Sequence, residues 1–285
     1  MRTLLVFVIY FTPFHTEMDD SSLVTSNGPE DDYSHLSDSL IYTAINIPGA
    51  GCRGSDFHCQ LSGCTCQNNS CYSPSCDCIS RFGLNYTEEL LLLSTKFLDC
   101  SVMECNDSCQ CDSSCRNRVV QKGPRSGLEI FDCGPCKGLG LRTKLSIPKG
   151  GFICEYAGEV IGKAEALKRF ESAVLKGFMN YIFILRENTS TDVIETIVDP
   201  TVIGNIGRYI NHSCNPNSAI VPVRVNSAVP KLAIFAVRDI AAGEEITFDY
   251  SGGKTQNSSQ AVNRKSCFCG SATCSKFLPF DESLC

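Results

Sequence analysis

The sequence predicts a mostly β fold that lies between two cysteine-rich segments. Three observations support this prediction. Short runs of β-branched and aromatic residues recur from residue 125 onward, turn residues separate these runs, and most of the 20 cysteines lie before or after this region. At 285 residues, with 43% hydrophobic and 20% charged residues, the chain has the size of one large domain or two modest ones.

Residues 1–45 predict a leader and a flexible linker. An apolar run at residues 4–11 follows Arg2, which resembles a secretory signal in length and is too short to span a bilayer. No small-x-small cleavage site follows it, and residues 17–39 are rich in Asp, Ser, Asn and Gly, as in flexible chain. We expect this segment to play no part in the fold, and a functional signal peptide is the alternative.

Residues 48–122 predict a module held together by metal, because few large apolar side chains accompany twelve cysteines between Cys52 and Cys115. Zinc prefers four thiolates in a tetrahedron, so nine thiolates satisfy three zinc ions only when three sulfurs each bridge two ions. The alternative is the disulfide scaffold of an exported protein. The nine closely spaced cysteines are Cys64, Cys66, Cys71, Cys76, Cys78, Cys105, Cys109, Cys111 and Cys115.

Residues 125–251 predict the β-rich domain. Turn residues at 148–150 and 242–244 separate its β-branched and aromatic runs. One helix is predicted at Lys163–Lys176, because Leu167, Phe170 and Val174 share a face and Gly177 stands at the C-cap position. The predicted strands are at 151–156, 181–185, 193–198, 219–225 and 231–237.

Three short motifs in the second half of the chain indicate a function. Asn-His-Ser-Cys stands at 211–214, Phe-Asp-Tyr at 248–250 and Cys-x-Cys-Gly-x3-Cys at 267–274. An isolated buried His or Cys is more often structural than functional, but together these motifs resemble the SET-domain protein lysine methyltransferases. The resemblance implies a SET-domain β-clip fold, in which the Phe-Asp-Tyr strand is tucked beside the Asn-His-Ser-Cys segment as a pseudo-knot.

The same resemblance assigns the cysteine-rich segments. The nine-cysteine spacing is similar to the pre-SET module of the SUV39-type subfamily, which carries a three-zinc cluster of structural role. Residues 265–282 resemble the post-SET segment, whose zinc ion joins the tail to the SET domain and completes the substrate channel. The residues implied to hold that fourth zinc are Cys214, Cys267, Cys269 and Cys274.

The resemblance also implies S-adenosyl-L-methionine as the cofactor. The stretch 137–142 is similar to the family's Lys-Gly-Trp-Gly-Leu/Val-Arg loop, in which glycines allow the main chain to approach the cofactor closely. Leu139 stands where the family usually has Trp. The residues implied to contact the cofactor are Lys137, Gly138, Leu139, Tyr181, Arg208, Asn211 and His212.

Two tyrosines and a phenylalanine are the candidate catalytic residues. Tyr156 lies in a Tyr-x-Gly-Glu match, and Tyr250 ends the Phe-Asp-Tyr motif. Methyl transfer needs a neutral lysine amine, and a narrow, desolvated channel lowers the lysine pKa, after which tyrosine hydroxyls aim the nitrogen. Phe248 occupies the family's product-setting position, where phenylalanine leaves room for dimethylation and, beyond it, trimethylation.

Members of the family act on the histone H3 tail in chromatin, so the resemblance implies that peptide as partner and the nucleus and chromosome as location. The net charge of −6 suits a basic peptide and disfavours sequence-specific DNA binding; no membrane contact is expected. Two alternatives remain. One is a secreted disulfide-rich interaction domain, and the other is a zinc-held histone-tail binder of weak activity, which Leu139 favours.

Overall fold

The computed structural model describes residues 40–58, 61–67, 71–99, 102–176, 180–189, 191–251 and 265–279. The predicted leader at 1–39, the polar stretch at 252–264 and Gly177 lie outside these ranges. No helix in the described ranges has both the length and the apolar character needed to cross a bilayer.

Short strands dominate the described secondary structure, as the sequence predicts. The α-helices are α1 (Asp77–Phe82), α2 (Lys96–Asp99) and α3 (Lys163–Lys176), and short 3-10 helices lie at Gly54–His58, Val120–Lys122 and Ile206–Tyr209. The strands are β1 (Ile41–Tyr42), β2 (Ile47–Pro48), β3 (Val102–Met103), β4 (Leu128–Asp132), β5 (Leu139–Thr143), β6 (Phe152–Tyr156), β7 (Gly158–Ile161), β8 (Phe183–Asn188), β9 (Val193–Gly204), β10 (Asn211–His212), β11 (Ser218–Arg224), β12 (Lys231–Ala236) and β13 (Glu245–Phe248).

Within the described residues these strands form two sheets. The smaller sheet has the order β1-β9-β7-β2 with β8 on β9, and the larger has β4-β5-β13-β11-β12-β6 with β10 on β13 and β3 on β11. β10 runs parallel to β13, so that His212 lies opposite Phe248. This pairing places the Phe-Asp-Tyr strand beside the Asn-His-Ser-Cys segment and confirms the tucked arrangement expected of the fold.

The end of the larger sheet that β12 and β6 form is covered on both faces. Every residue of β6 is buried, and in β12 only Lys231 is partly exposed. A strand that is buried on both faces has a continuous apolar run instead of an alternating one. For this reason the runs predicted at 151–156, 219–225 and 231–237 agree with β6, β11 and β12 to within a residue.

Other strands differ from the prediction in length or were missed. β8 begins two residues later than the predicted run and continues to Asn188, and β9 continues past Val198 to Gly204. β5 and β7 were not predicted, because glycine weakens their strand pattern. β4 was also not predicted. In addition, β1 begins within the segment that was predicted as linker, where it pairs with β9.

Helix α3 has the predicted bounds, but its predicted apolar face is only partly correct. Leu167 and Phe170 pack on the smaller sheet around the buried Ala166, whereas Val174 is 51% exposed. The guanidinium of Arg169 lies 2.7 Å from Glu159 and 2.9 Å from Asp199. These ion pairs anchor the middle of the helix, and its last turn extends beyond the sheet.

The cysteine-rich module has sulfur in place of an apolar core. Cys71, Cys76, Cys105 and Cys115 are fully buried, and they form one cluster with the other cysteines of the predicted set and Ile79. The module joins the larger sheet where β3 pairs in parallel with β11. This module therefore rests directly against the β-rich domain.

Candidate active site

Three strands bring part of the predicted cofactor set together, whereas Tyr181 and Arg208 lie outside these strands. β13 pairs with β5 on one side, with Ile246 opposite Leu141, and with β10 on the other, with Thr247 opposite Asn211. The Ser213 amide also donates to the Phe248 carbonyl at 3.1 Å. The glycine-containing stretch predicted as a cofactor loop is thus the turn before β5 and the start of that strand. Only β13 separates it from Asn211 of β10.

A carboxylate that was not predicted connects these residues. Glu245 forms an ion pair with Lys137 and accepts a hydrogen bond of 3.0 Å from Nδ2 of Asn211. The same Asn211 amide donates to the Leu139 carbonyl at 3.1 Å. Glu245 therefore fixes both sides of the predicted cofactor site, and its role becomes visible only through the strand pairing.

Beside Tyr181, two buried nitrogen donors have no acceptor in the described part of the chain. The guanidinium of Arg208 stacks on Tyr181, with its central carbon 4.1 Å from the ring centroid, and its Nε has no hydrogen-bond partner there. Nδ2 of Asn180, which precedes Tyr181 in sequence, is also buried and also has no hydrogen-bond partner there. Buried donors are almost always paired in folded proteins, so these two atoms suit an anionic or carbonyl group of a ligand.

His212 connects the predicted site to the C-terminal cysteines. Its Nδ1 accepts a hydrogen bond of 3.2 Å from the Tyr250 amide, so the neutral ring carries its proton on Nε2, which lies 3.3 Å from Sγ of Cys214. Burial lowers the pKa of His212 to about 4, against an opposing effect of Asp249. Both ring nitrogens are thus used within the chain, and only its main chain is left for the predicted cofactor contact.

Aromatic rings cluster around the candidate catalytic residues. The Phe248 ring centroid is 4.7 Å from that of Tyr250 and 6.4 Å from that of Tyr156. Phe183, which the sequence did not single out, lies 5.6 Å from Tyr156 and 6.2 Å from Phe248. The structure therefore brings all three candidate catalytic residues into one cluster, with Phe183 as an additional wall.

The two tyrosine hydroxyls donate to the main chain. Tyr156 donates to the Tyr181 carbonyl at 2.5 Å, and Tyr250 donates to the Ile210 carbonyl at 2.7 Å. Burial raises the pKa of both tyrosines well above the ordinary value. Each hydroxyl is therefore neutral, and its oxygen lone pairs remain available to accept a hydrogen bond.

Twelve of the thirteen predicted metal-binding cysteines gather into groups of four whose sulfurs lie within 4.8 Å of one another. Cys115 belongs to none of these groups, but its Sγ lies 3.9 Å from that of Cys105. Sulfurs that bind one tetrahedral zinc at 2.3 Å are about 3.8 Å apart. The corresponding distance is 3.7 Å for Cys64 and Cys71, and 3.9 Å for Cys214 and Cys267. All described cysteines are free thiols, so both regions could bind zinc. The groups are Cys64, Cys66, Cys71 and Cys76; Cys64, Cys78, Cys105 and Cys109; Cys64, Cys71, Cys105 and Cys111; and Cys214, Cys267, Cys269 and Cys274.

This combination of a tucked strand, a buried aromatic cluster and two thiol-rich segments defines a SET-domain protein. The SET domain family model matches residues 138–251, and the Pre-SET motif matches residues 21–118. The histone-lysine N-methyltransferase SETMAR of Rattus norvegicus is 45% identical over 256 residues, which cover 85% of this chain and 80% of that protein. The chain belongs to the SET-domain histone-lysine N-methyltransferase family.

Two solved structures are similar to the fold. The methyltransferase domain of human SETMAR has a TM-score of 0.76 at 41% identity, covering 89% of this chain and 93% of that one. KRYPTONITE in complex with mCHH DNA, an H3(1-15) peptide and SAH has a TM-score of 0.68 at 27% identity, covering 86% of this chain and 48% of that one. The mostly β fold predicted from the sequence is confirmed.

Proposed function

We propose that this chain transfers methyl groups from S-adenosyl-L-methionine to a lysine of the histone H3 tail, in the nucleus and on the chromosome. The observation that carries the proposal is the junction of β5, β10 and β13. There Asn211 lies opposite Thr247, the residue before Phe248, and Glu245 of the same strand pairs with Lys137. A cofactor site and an amine channel on opposite sides of one strand suit direct transfer between two substrates.

The cofactor, when bound, supplies the methyl group and a sulfonium charge that favours a neutral amine nearby. Arg208 Nε and Asn180 Nδ2 suit its carboxylate, because they are buried donors without acceptors in the described ranges. The Tyr181 ring, held flat against Arg208, would cover one side. The main chain at Gly138 and His212, with Leu139 and the Lys137–Glu245 pair, would enclose the rest.

The channel would act on the lysine in two ways. Its aromatic walls remove water from the ammonium group, which lowers the lysine pKa and favours loss of the proton. Tyr156 and Tyr250 would then orient the amine. Since both hydroxyl hydrogens already point at main-chain carbonyls, the oxygens accept from the amine N–H groups and aim its lone pair at the methyl carbon. Neither tyrosine serves as a general base, because both stay neutral.

The product is proposed to be dimethyl-lysine, with further conversion to trimethyl-lysine. Phe248 is 3% exposed and has no hydroxyl with which to hold a water molecule beside the amine. A methylated amine is therefore free to rotate and to present its lone pair again. Phe183 adds an apolar wall that makes no hydrogen bond with the amine.

Zinc is the metal that we propose for the cysteine groups, with three ions in the pre-SET module and one at the C-terminal end. Cys64, Cys71 and Cys105 each occur in more than one group of four, as bridging sulfurs would. The remaining six cysteines of the module then complete three tetrahedra. The fourth ion would connect Cys214, which His212 contacts, to the segment 265–279 and so close the channel.

The H3 tail is the proposed substrate on two grounds. The similar KRYPTONITE structure holds an H3(1-15) peptide, and the net charge of −6 favours a basic partner. An extended peptide would bind through main-chain hydrogen bonds beside a strand. Each lysine of the tail can be tested separately with peptides that retain a single acceptor lysine.

A radiolabelled methyl-transfer assay on histone H3 tests the proposal. We expect wild-type protein to label H3, and Tyr250→Phe to lower the rate by about 100-fold, because the amine loses its orienting acceptor. Tyr72→Phe is the matched control, since Tyr72 is 57% exposed in the cysteine module. Equal rates for wild type and Tyr250→Phe would contradict the catalytic role. A wild-type chain that binds the peptide without labelling it would favour the non-catalytic binder.

A further inference from the structure

Two cysteines outside the metal-binding groups stand in the turn between β4 and β5. Cys133 and Cys136 form a Cys-Gly-Pro-Cys sequence at 133–136, and none of the groups of four includes either of them. The amide of Gly138 donates to the Gly134 carbonyl at 2.8 Å, and the amide of Cys133 donates to the Gly138 carbonyl at 2.7 Å. The chain therefore reverses tightly between the two thiols and the start of β5.

The Cys133 thiol contacts the proposed cofactor site. Its Sγ donates to Oε1 of Glu245 at 3.4 Å and lies 3.7 Å from Nδ2 of Asn211. Burial, and next the Glu245 carboxylate, raise the pKa of Cys133 to about 12. This cysteine is thus a protonated thiol with a carboxylate positioned to take its proton.

The Cys136 thiol is exposed and directly precedes Lys137 in sequence. Lys137 forms its ion pair with Glu245, the same carboxylate that Cys133 contacts. A disulfide needs a Cα separation of about 4.4–6.8 Å, which two residues three apart in a chain reversal can reach. One solvent-facing and one partly covered thiol at this spacing have the arrangement of a reversible dithiol pair.

We propose that Cys133 and Cys136 are a redox modification site, at which a peroxide forms a disulfide that weakens cofactor binding at the adjoining site. The disulfide itself depends only on the two cysteines. Its effect on binding rests on the proposed function, because it assumes that S-adenosyl-L-methionine lies beside Lys137 and Asn211.

The oxidation balances with one molecule of hydrogen peroxide. The Cys136 sulfur, as thiolate, attacks one peroxide oxygen, which breaks the O–O bond, gives a sulfenic acid and releases hydroxide. The Cys133 sulfur then attacks the Cys136 sulfur, which forms the S–S bond and breaks the S–O bond with loss of water. Glu245 takes the Cys133 proton and returns it to the leaving oxygen. Two thiols lose two electrons, and the peroxide is reduced to two water molecules.

The disulfide would change the site because Cys133 cannot bond to Cys136 and also keep its contacts with Glu245 and Asn211. Its sulfur must move toward Cys136, away from Glu245 and Asn211. This movement removes one of the hydrogen bonds to the carboxylate that holds Lys137. Formation of the S–S bond also draws in Cys136 and therefore shifts the adjacent Lys137 and Gly138. We infer lower cofactor affinity in the oxidised state, restored on reduction.

The test uses the full-length, zinc-loaded chain in reduced, peroxide-treated and re-reduced states. Mass spectrometry after thiol blocking maps the Cys133–Cys136 link, and calorimetric titration with S-adenosylhomocysteine measures affinity. We expect peroxide to lower wild-type affinity by about tenfold, a typical size for coupling between sites, and dithiothreitol to restore it. Cys136→Ser keeps every other thiol and should show unchanged affinity after the same treatment. Zinc content is measured in each sample.

Any other outcome contradicts either the redox proposal or the proposed function. Absence of the mapped link, or a link without a change in affinity, would overturn it. So would a Cys136→Ser variant that loses affinity as much as wild type, because oxidation elsewhere would then be the cause. Reduced protein that binds no S-adenosylhomocysteine would contradict the proposed function instead, and the mapped link alone would then decide whether the pair is a redox site.

Discussion

At the scale of single residues, the proposed cofactor site depends on the missing side chain of Gly140. A Cβ added there would lie 2.4 Å from Sγ of Cys133 and 2.9 Å from Nδ2 of Asn211, so Gly140→Ala must displace one or both. We expect cofactor affinity to fall by roughly 10- to 100-fold, because the site tolerates little misplacement. Calorimetric titration with S-adenosylhomocysteine measures the change. Gly54→Ala, whose Cβ meets nothing within 4 Å, is the control, and equal affinity for the two variants would contradict the prediction.

The second prediction for a single residue concerns the product. A hydroxyl added in Phe248→Tyr would stand beside the Tyr250 ring, 4.7 Å away between centroids, and could hold a water molecule against the amine. We expect the variant to stop at monomethyl-lysine, whereas wild type proceeds to dimethyl- and trimethyl-lysine. Mass spectrometry of the peptide at completion distinguishes these products. Phe170→Tyr, on helix α3, should leave them unchanged. A wild-type enzyme that makes only monomethyl-lysine would refute the prediction.

The sequence predicted those site residues that belong to a short motif. It did not predict the residues that only the pairing of strands brings to the site. Asn211 and Tyr250 belong to short motifs, and the structure brings both to the junction of β10 and β13. Glu245 and Phe183 have no distinctive local pattern. Glu245 matters because β13 lies between β5 and β10, and that pairing joins residues about a hundred positions apart, which periodicity does not report.

At the scale of elements, a buried carboxylate organises the C-terminal end of the cysteine module. Glu104, 2% exposed, directly follows β3 and accepts hydrogen bonds from the Val119 and Val120 amides at 2.7 and 2.8 Å. It also accepts from the Tyr86 hydroxyl at 2.7 Å and from Nε2 of Gln121 at 2.8 Å. One side chain therefore holds the last residues of the module, which lead into the β-rich domain.

Removal of that carboxylate should destabilise the protein. Glu104→Ala leaves several buried donors without an acceptor, and we expect the thermal unfolding midpoint to fall by about 5–10 °C. Differential scanning fluorimetry measures the midpoint. Glu88→Ala is the matched control, because Glu88 is 80% exposed in its pair with Arg116 and such pairs contribute about 0–1 kcal/mol. Similar midpoints for the two variants would show that Glu104 is dispensable.

The predictability of an element followed its local pattern. The bounds of α3 were predicted correctly because its apolar spacing and the C-cap glycine are local features, whereas the exposure of Val174 depends on tertiary packing. β5 was missed because its glycine is needed for the close approach of Cys133 and Asn211. The glycine that the site requires therefore weakens the strand pattern of β5, although β5 pairs with both β4 and β13.

At the scale of the whole molecule, sulfur replaces apolar packing at both ends of the β-rich domain. The pre-SET cysteines are the core of their own module, while the C-terminal group joins Cys214 of the domain to a short segment with no strand longer than an isolated bridge among its described residues. Metal in the first region would therefore maintain folding. Metal in the second would hold a segment over the channel, with little effect on the core.

These two roles predict different effects of removing one thiolate. Cys274→Ser should release about one zinc per chain, leave the unfolding midpoint close to wild type and abolish methyl transfer. Cys105→Ser removes a sulfur shared by two groups of four, so we expect loss of more than one zinc and a clearly lower midpoint. Elemental analysis, scanning fluorimetry and the methyl-transfer assay measure the three quantities. Cys52→Ser, which lies outside every group of four, should match wild type in all three. A fully active Cys274→Ser variant would mean that the C-terminal segment closes the channel without metal.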